Sequence, residues 1–302
     1  VTGSSAEIVS AIGVVTLSPN VTLSIAGNAA TIDDLKTVNG ATSGVVVLNT
    51  ATNAAAYTDT AANFVVAFDG ITTLTATLTI TGSAATIAEL KTINAATSGA
   101  VVLNPETNAT AYTDTAANLI SAFTGVTSHM GGLTISDTGP VSASELDIIN
   151  TLKAAGVTTV TATSHITGSS ADIATTIGAI THIPNVTLTI IGDTAANIAE
   201  LMTINAETSG TVVLNAATIV KDYSDTAANL AAAYDGITTL TSTLTITGTD
   251  PATVAELMKI NAATSGNVVL NAQTIAANLS GSAVDLAAAY DGITTLTSTL
   301  TI

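Results

Sequence analysis

Residues 77–99 read TLTITGSAATIAELKTINAATSG, and close copies of this stretch recur along the whole chain. In its first five residues, Thr77, Thr79 and Thr81 alternate with Leu78 and Ile80. Alternation with period two, in residues that are mostly β-branched, predicts a strand with one buried face. The Gly-Ser pair that follows breaks this strand.

A short helix is predicted after the strand, because Ile87, Leu90 and Ile93 recur at the spacing of one helix face. Gly99 is expected to end this helix in the left-handed conformation that glycine accepts at helix C-termini. One strand and one short helix cannot bury two apolar faces by themselves. We therefore expect the copies to stack on one another.

Two kinds of unit alternate along the chain. The first kind, the stretch above, returns at residues 21–44, at residues 186–210 and from residue 243. The second kind has a valine-rich strand such as residues 45–49, a helix predicted to open around Tyr57, and an Asp69-Gly70 stop. Periods of about 25–30 residues per unit, about 55 per pair and about 165 per block of six units are typical of solenoids.

These periods predict the fold class. Connections from a strand through a helix to a parallel strand are right-handed. We therefore predict an α/β right-handed solenoid of strand–turn–helix repeats with one parallel sheet, and an all-β parallel β-helix is the alternative. Residues 1–302 are predicted to be one repeat domain with two related blocks, about 1–165 and 166–302. The unit at residues 132–159 diverges and is interpreted as a hinge, a partner site or a drifted repeat.

Polar residues and glycines mark the predicted helix ends. The opening helix has a Ser4/Glu7 capping box and a predicted buried stripe of Ile8, Ile12 and Val15. Elsewhere acidic residues are interpreted as N-caps, namely Asp59, Asp114, Asp225 and, before Pro251, Asp250. Glycines are interpreted as the helix exits, namely Gly70, Gly125, Gly236 and Gly292.

The charge balance narrows the choice of partners. The 302 residues include 22 acidic residues and five basic ones, all lysine, which gives a formal net charge of −17. Such a surface repels phosphates and anionic membranes, so we expect no nucleic-acid partner. No apolar run is long enough to span a bilayer, so no membrane insertion is expected. The absence of cysteine excludes disulfides and thiolate metal sites.

Few residues suggest chemistry. His129, His165 and His182 lie in different units without metal-ligand spacing, and they are interpreted as surface or turn residues. A Tyr-x-Asp-Thr-Ala-Ala-Asn motif begins at Tyr57, Tyr112 and Tyr223. It is interpreted as a helix N-cap with a packed aromatic ring, and the alternative is a calcium site.

No catalytic residue and no cofactor are therefore predicted. Calcium is the alternative at three Asp-Gly turns, at Asp69, Asp235 and Asp291. The sequence has no EF-hand loop and no glycine-rich calcium nonapeptide.

The outward face of the predicted sheet is the candidate interface. In units of the first kind it carries Thr77, Thr79, Thr243, Thr245, Thr299 and Thr301, whereas units of the second kind place valines there, such as Val45, Val47 and Val102. This face is interpreted either as a solvated surface or as an interface for another protomer, a glycan or a surface protein. An ice-binding plane needs unbroken threonine rows, and the valines interrupt them.

The segments with the sequence Asp-Thr-Ala-Ala-Asn-Leu/Ile lie at residues 114–119, 193–198 and 225–230. With them, the repeats resemble those of large repetitive surface proteins of Gram-negative bacteria and cyanobacteria, in which helix-opening segments of this type alternate with short Thr/Val strands. The resemblance is one of repeat style and composition over nearly the whole chain. It implies a secreted or surface-anchored structural role, as in adhesins and surface layers. Some members carry repeats-in-toxin calcium modules, whose nonapeptides this chain lacks.

The repeats, the charge and the lack of a catalytic constellation together predict a non-enzymatic structural protein of the cell surface or of an extracellular filament. We expect it to self-associate laterally or end to end, since the first and last residues stand at the same phase of the repeat. The alternative is an adhesin-type binding module for a glycan or protein on the Thr/Val face.

Overall fold

The computed structural model describes residues 1–14, 20–154, 156, 158–161, 165–293, 295, 297 and 299–302. These residues form an α/β protein in which short strands alternate with helices, which confirms the predicted class and excludes the all-β alternative. The strands are β1 (Thr2–Gly3), β2 (Leu23–Ile25), β3 (Val46–Val47), β4 (Tyr57–Thr60), β5 (Leu78–Thr81), β6 (Val101–Val102), β7 (Tyr112–Asp114), β8 (Leu133–Ile135), β9 (Val141–Ser142), β10 (Thr158–Val160), β11 (His165–Gly168), β12 (Thr187–Ile190), β13 (Val212–Val213), β14 (Tyr223–Asp225), β15 (Leu244–Ile246), β16 (Val268–Val269), β17 (Leu279–Ser280) and β18 (Leu300–Thr301).

The described α-helices fall into two length classes. Those that follow β3, β6, β13 and β16 have five residues, and the others have seven to ten. The helices are α1 (Ser5–Ile12), α2 (Ile32–Gly40), α3 (Thr50–Ala54), α4 (Ala61–Phe68), α5 (Ile87–Ala96), α6 (Pro105–Ala109), α7 (Ala116–Phe123), α8 (Ala143–Leu152), α9 (Ser170–Thr176) with a 3₁₀ turn at Ile177–Ala179, α10 (Ile198–Ala206), α11 (Ala216–Val220), α12 (Ala227–Ala233), α13 (Val254–Ala263), α14 (Ala272–Ala276) and α15 (Ala283–Tyr290).

The described strands form six parallel sheets rather than the single predicted sheet. Their strand orders are β1-β2-β3, β4-β5-β6, β10-β8-β7, β13-β12-β11-β9, β14-β15-β16 and β17-β18. The breaks after β3, β6, β13 and β16 fall at the five-residue helices. The link between β6 and β7, residues 103–111, is shorter than the dozen or so residues that a parallel crossover needs. The following strand therefore starts a new sheet.

The strand predicted in residues 77–99 is β5. It lies between β4 and β6, with Leu78 in register with both Tyr57 and Val101. Leu78 and Ile80 are buried while Thr79 between them is half-buried, so the predicted period of two is confirmed. The buried side chains of the strand face the helices, where they form a core of aliphatic residues and a few phenylalanines.

The helix predicted in residues 77–99 is also confirmed. It is α5, and its Leu90, Ile93 and Ala96 are buried. The mechanism predicted for its end is wrong. The helix ends at Ala96, and Gly99 does not adopt the left-handed conformation. Glycine is needed there because a Cβ atom at Gly99 would collide with the carbonyl oxygen of Ala76 in the preceding turn of the chain.

The four helix exits that were predicted at glycines follow the prediction. At the end of α4 the chain passes through Asp69 into Gly70, which has φ of 72°. Gly125, Gly236 and Gly292 likewise have positive φ values. These glycines take the left-handed conformation that other residues enter only with strain.

The predicted N-caps need a correction of one residue or more. Asp59 lies inside strand β4, and the cap of α4 is Thr60, whose hydroxyl accepts a hydrogen bond from the backbone N–H of Asn63 at 3.3 Å. Thr115 and Thr226 hold the same position after Asp114 and Asp225. Asp250 and Pro251 lie in a turn, and the cap of α13 is Thr253.

The opening helix bears out its capping box, since the Ser4 side chain and the Glu7 side chain each bond the other residue's backbone. Ile8 is buried and Ile12 is half-buried. Val15, the third member of the predicted stripe, lies outside the described residues.

The chain divides into two compact units. The first comprises Val1–Ser136 and Ile148–Thr159, and the second comprises Asp137–Asp147 and Val160–Ile302. Two of the boundaries between these units fall inside the divergent unit at residues 132–159, and the third falls at its C-terminal end. Among the described residues no helix is both long and apolar enough to cross a membrane.

Candidate interaction surface

The candidate surface consists of the half-buried or exposed positions that alternate with buried ones along the strands. Register across each sheet aligns these positions into rows, which we call the outward rows. Their members are Thr2, Ser24 and Val47; Thr58, Thr79 and Val102; Thr113 and Thr134; Ser142, Thr167, Thr189 and Val213; Ser224, Thr245 and Val269; and Ser280 and Thr301.

Each of the members named above is a threonine, serine or valine, although the chain carries a net charge of −17. A further pair at such positions, His165 with Thr187 at the start of β11 and β12, adds a histidine. The valines are the most accessible apolar members: Val47 and Val269 are each 46% exposed and Val213 is 41% exposed. Val45, beyond the end of β3, is 64% exposed. The rows therefore present mainly hydroxyl and methyl groups, without carboxylate or lysine side chains.

The remaining predicted residues flank the rows. Thr77 and Thr243 are half-buried and directly precede β5 and β15, while Thr299 is exposed and precedes β18. Within a sheet the structure thus places threonine and valine on neighbouring strands of one row, as with Thr79 and Val102 or Thr245 and Val269.

The row members that were not named from the sequence include Thr58, Thr113 and Ser224. They belong to the Tyr-x-Asp segments, which were interpreted as helix openings but form strands β4, β7 and β14. The signal was present in the alternation of a large residue with threonine or serine, as in Tyr57-Thr58-Asp59-Thr60.

The tyrosine of this motif fastens one turn of the chain to the previous one. The buried Tyr112 hydroxyl donates a hydrogen bond to the carbonyl oxygen of Ala85 at 2.6 Å. Tyr57 and Tyr223 make the same bond to Ala30 and Ala196, at 3.1 and 2.8 Å. Burial raises the pKa of Tyr57 to about 12 and raises those of Tyr112 and Tyr223. The hydroxyls therefore remain protonated donors at neutral pH.

The short helices bond the backbone N–H groups of the same alanines. The backbone N–H of Ala85 donates to the buried hydroxyl of Thr107 in α6, at 2.9 Å. Asn104 caps α6 by accepting a hydrogen bond from the Thr107 N–H, and its amide group donates to the carbonyl of Gly82. Thr52, Thr218 and Thr274 with Asn49, Asn215 and Asn271 repeat this arrangement at the other short helices.

Asparagines near the ends of the helices in first-kind units donate to carbonyls near the C-terminal end of the next long helix. The Asn39 amide donates to the carbonyls of Val66 and Asp69 at the end of α4, where helix carbonyls have no partner in the next turn of the helix. Asn94, Asn205 and Asn261 donate in the same way to carbonyls of α7, α12 and α15. The role of these asparagines is not evident from the sequence, because each partner lies 27 residues or more along the chain.

The carboxylates of the Tyr-x-Asp motif are occupied by protein groups. Asp59 accepts hydrogen bonds from the backbone N–H of Thr60 and from the side chain of Asn63, both at 2.7 Å. Lys36 on the preceding helix donates to the same Asn63 side chain at 2.8 Å. Asp114, Asn118 and Lys91 repeat the arrangement. The geometry supports the structural interpretation of the motif.

The Asp-Thr-Ala-Ala-Asn segment has two structural contexts. At residues 114–118 it spans the end of β7 and the start of α7, whereas residues 193–197 form a turn before α10, whose N-cap is Asn197. The same five residues therefore do not always open a helix.

The histidine prediction is wrong for one of the three residues. His165 and His182 are half-buried, but His129 is completely buried, with its ring centroid 4.5 Å from that of Phe123 and 5.6 Å from that of Tyr112. Neither ring nitrogen has a hydrogen-bond partner among the described residues. Burial lowers the pKa of His129, so its imidazole is neutral at pH 7.

The part of the chain that the structure describes contains no group of three or more histidine, aspartate or glutamate residues placed to hold a metal ion. A scan against protein-family models finds no match to this chain, and a search of curated proteins finds no relative.

Proposed function

We propose that the chain is a right-handed solenoid with a non-enzymatic, structural role at the bacterial cell surface or in an extracellular filament. It would self-associate laterally through its sheet faces or end to end. The observation that carries this proposal is how the polar side chains are used. The tyrosines, threonines and asparagines that recur in the repeats bond the backbone of a neighbouring turn, as Tyr112 and Thr107 do with Ala85.

This use of polar groups is typical of arrays, in which each repeat is stabilised by its neighbours. The outward rows supply a surface for lateral association, because two copies of an acidic chain meet with least repulsion where neither carries charge.

The test is direct imaging of the purified chain. Negative-stain electron microscopy and sedimentation velocity over a range of protein concentrations should give ordered filaments or sheets. Labelling of intact source cells should place the protein outside the cell. A monomer at every concentration, together with a diffuse intracellular signal, would contradict the proposal.

A second candidate is an adhesin-type module that binds a glycan or protein on the outward rows. Its support is the mixture of hydroxyl and methyl groups at the half-buried Thr79 and Val102 and the exposed Val269, since such surfaces pack against sugar rings and bond their hydroxyls.

A glycan array separates the two candidates. The double variant Thr79→Lys and Thr245→Lys should abolish binding without preventing assembly if the chain is a binding module. Thr37→Lys, an exposed threonine on helix α2, is the matched control and should bind normally. Loss of assembly in the double variant alone would favour the structural role.

A further inference from the structure

His129 occupies a position that is leucine in other repeats. Its carbonyl oxygen accepts a hydrogen bond from the backbone N–H of Ala154 at 2.7 Å. The carbonyls of Leu74 and Leu240 accept the corresponding bonds from Ser98 and Ser265, both at 2.9 Å. Both leucines are buried, at 1% exposure. An ionisable ring therefore stands where the repeat otherwise places an aliphatic side chain.

The surroundings of the ring do not favour its charged form. The Tyr112 hydroxyl on β7 is directed to the Ala85 carbonyl, and helix α7, which supplies Phe123, has no charged residue. Asp114 on β7 bonds Thr115 and Asn118.

Two charged side chains, Lys153 and Glu106, lie on segments near His129. Neither forms an ion pair with the His129 ring. Lys153, next to Ala154, donates to the Gly156 carbonyl, and Glu106 on α6 is exposed. No described side chain is thus placed to stabilise an imidazolium at His129.

We propose that His129 makes this repeat of the first unit acid-sensitive: in mildly acidic solution the ring takes up a proton, and the segment around it opens locally while the leucine repeats stay closed. The opened segment comprises His129, Met130 and Gly131. Its backbone bonds are those from the Met130 and Gly131 N–H groups to Asn108 and from the Ala154 N–H to His129.

The direction of the effect follows from proton linkage. The folded pKa lies below the ordinary histidine value of about 6.5, so the open state binds the proton more tightly. The closed state is therefore fully favoured above this pH and loses its advantage as the pH falls below it. Opening increases by up to about tenfold for each unit by which burial lowers the pKa.

The experiment is hydrogen–deuterium exchange of the full chain at about pH 7.5 and about pH 5, a range in which ordinary carboxyl groups remain ionised. After correction for intrinsic exchange rates, protection of the Met130 and Ala154 amides should fall by about tenfold or more at the lower pH. The Thr75 and Ser98 amides, which make the equivalent bonds in the Leu74 repeat, should keep their protection.

Two variants make the test specific. His129→Leu should remove the pH dependence at residues 130 and 154, and Leu74→His should create it at residues 75 and 98. His182→Asn is a control for histidine loss elsewhere and should leave the response unchanged. Equal protection at both pH values in the unmodified chain, or a response that survives in His129→Leu, would overturn the proposal. If His129→Leu does not fold, the absence of any response in Leu74→His would also overturn it.

Discussion

At the scale of single residues, buried side chains bond both the backbone N–H and the backbone carbonyl of one alanine in several repeats. The Ala85 carbonyl accepts from Tyr112 and the Ala85 N–H donates to Thr107. Ala30 and Ala196 are held in the same way. A buried donor or acceptor that loses its partner destabilises a protein more than a formed hydrogen bond stabilises it. These residues should therefore be sensitive to small changes.

Tyr112→Phe removes one hydroxyl and leaves the ring in place. We expect the free energy of unfolding, measured by urea denaturation, to fall by about 1–3 kcal/mol, because the Ala85 carbonyl loses its donor. Tyr290→Phe is the matched control. Its hydroxyl has no hydrogen-bond partner among the described residues, so its removal should be neutral or slightly stabilising. Equal losses in the two variants would show that the Tyr112 bond contributes nothing.

The tyrosines also predict an alkaline transition. Burial raises the pKa of all five, Tyr57 to about 12. Since each folded pKa lies above the unfolded value, the tyrosines stabilise the fold fully below about pH 10 and lose this contribution as the pH rises further. Absorbance at the tyrosinate band should stay low through pH 10 in the native chain, whereas in strong denaturant it should rise around pH 10. Coincident curves would contradict the burial of the hydroxyls.

At the scale of elements, the strands of the first-kind units and the long helices were predictable because their signals are local, whereas strands β4, β7 and β14 were mistaken for helix openings. The alternation in Thr77–Ile80 and the stripe of Leu90 and Ile93 lie within a few residues, and both elements formed as predicted. The end of the sheet after β6 was not predictable from such patterns. It depends on the length of a link and on partners such as Gly82 and Asn104, which stand 22 residues apart.

The helix caps are an intermediate case. Sequence placed the start of α7 within two residues but named Asp114 instead of Thr115, since both residue types cap helices. The choice is made by strand β7, which holds Asp114 in extended pairing with Ile135 and leaves the next residue to turn into the helix.

The cap assignment can be tested by mutation. Thr115→Ala should lower the free energy of unfolding by about 1 kcal/mol, because the Asn118 N–H loses the hydroxyl that it donates to. Thr113→Ala, two residues earlier on the exposed side of the strand, should change it by no more than about 0.5 kcal/mol. Urea denaturation of the two variants in parallel provides the measurement. The reverse ranking would mean that Thr115 is not the cap.

At the scale of the whole molecule, repulsion between like charges is unfavourable. Five lysines face 22 acidic residues, and the described ion pairs that join separate elements are few: Lys259 bonds Asp235 at 2.6 Å. Repulsion among the remaining carboxylates opposes the compact state and is screened by salt.

We therefore expect the urea midpoint to rise when NaCl is increased from about 10 mM to about 150 mM, since the Debye length shortens from about 30 Å to about 8 Å. The same measurement with CaCl₂ at matched ionic strength tests the calcium alternative at Asp69, Asp235 and Asp291. If calcium acts only by screening, CaCl₂ should raise the urea midpoint about as much as NaCl does at the same ionic strength, apart from the effect of ion valence. A saturable additional rise at micromolar calcium would reveal a specific site.

The dual bonding of Asn104 limits how such a chain can change in length. The residue belongs to a unit of the second kind but completes the hydrogen bonding of Gly82 in a unit of the first kind. A duplicated pair of units would bring its own complement of partners and join without an unpaired peptide group. Duplication of a single unit would place two units of the same kind side by side. Groups such as the Ala85 N–H and carbonyl would then lack hydrogen-bond partners. Growth or shortening during evolution should therefore proceed in steps of two units, and length would be a quantised property of this architecture.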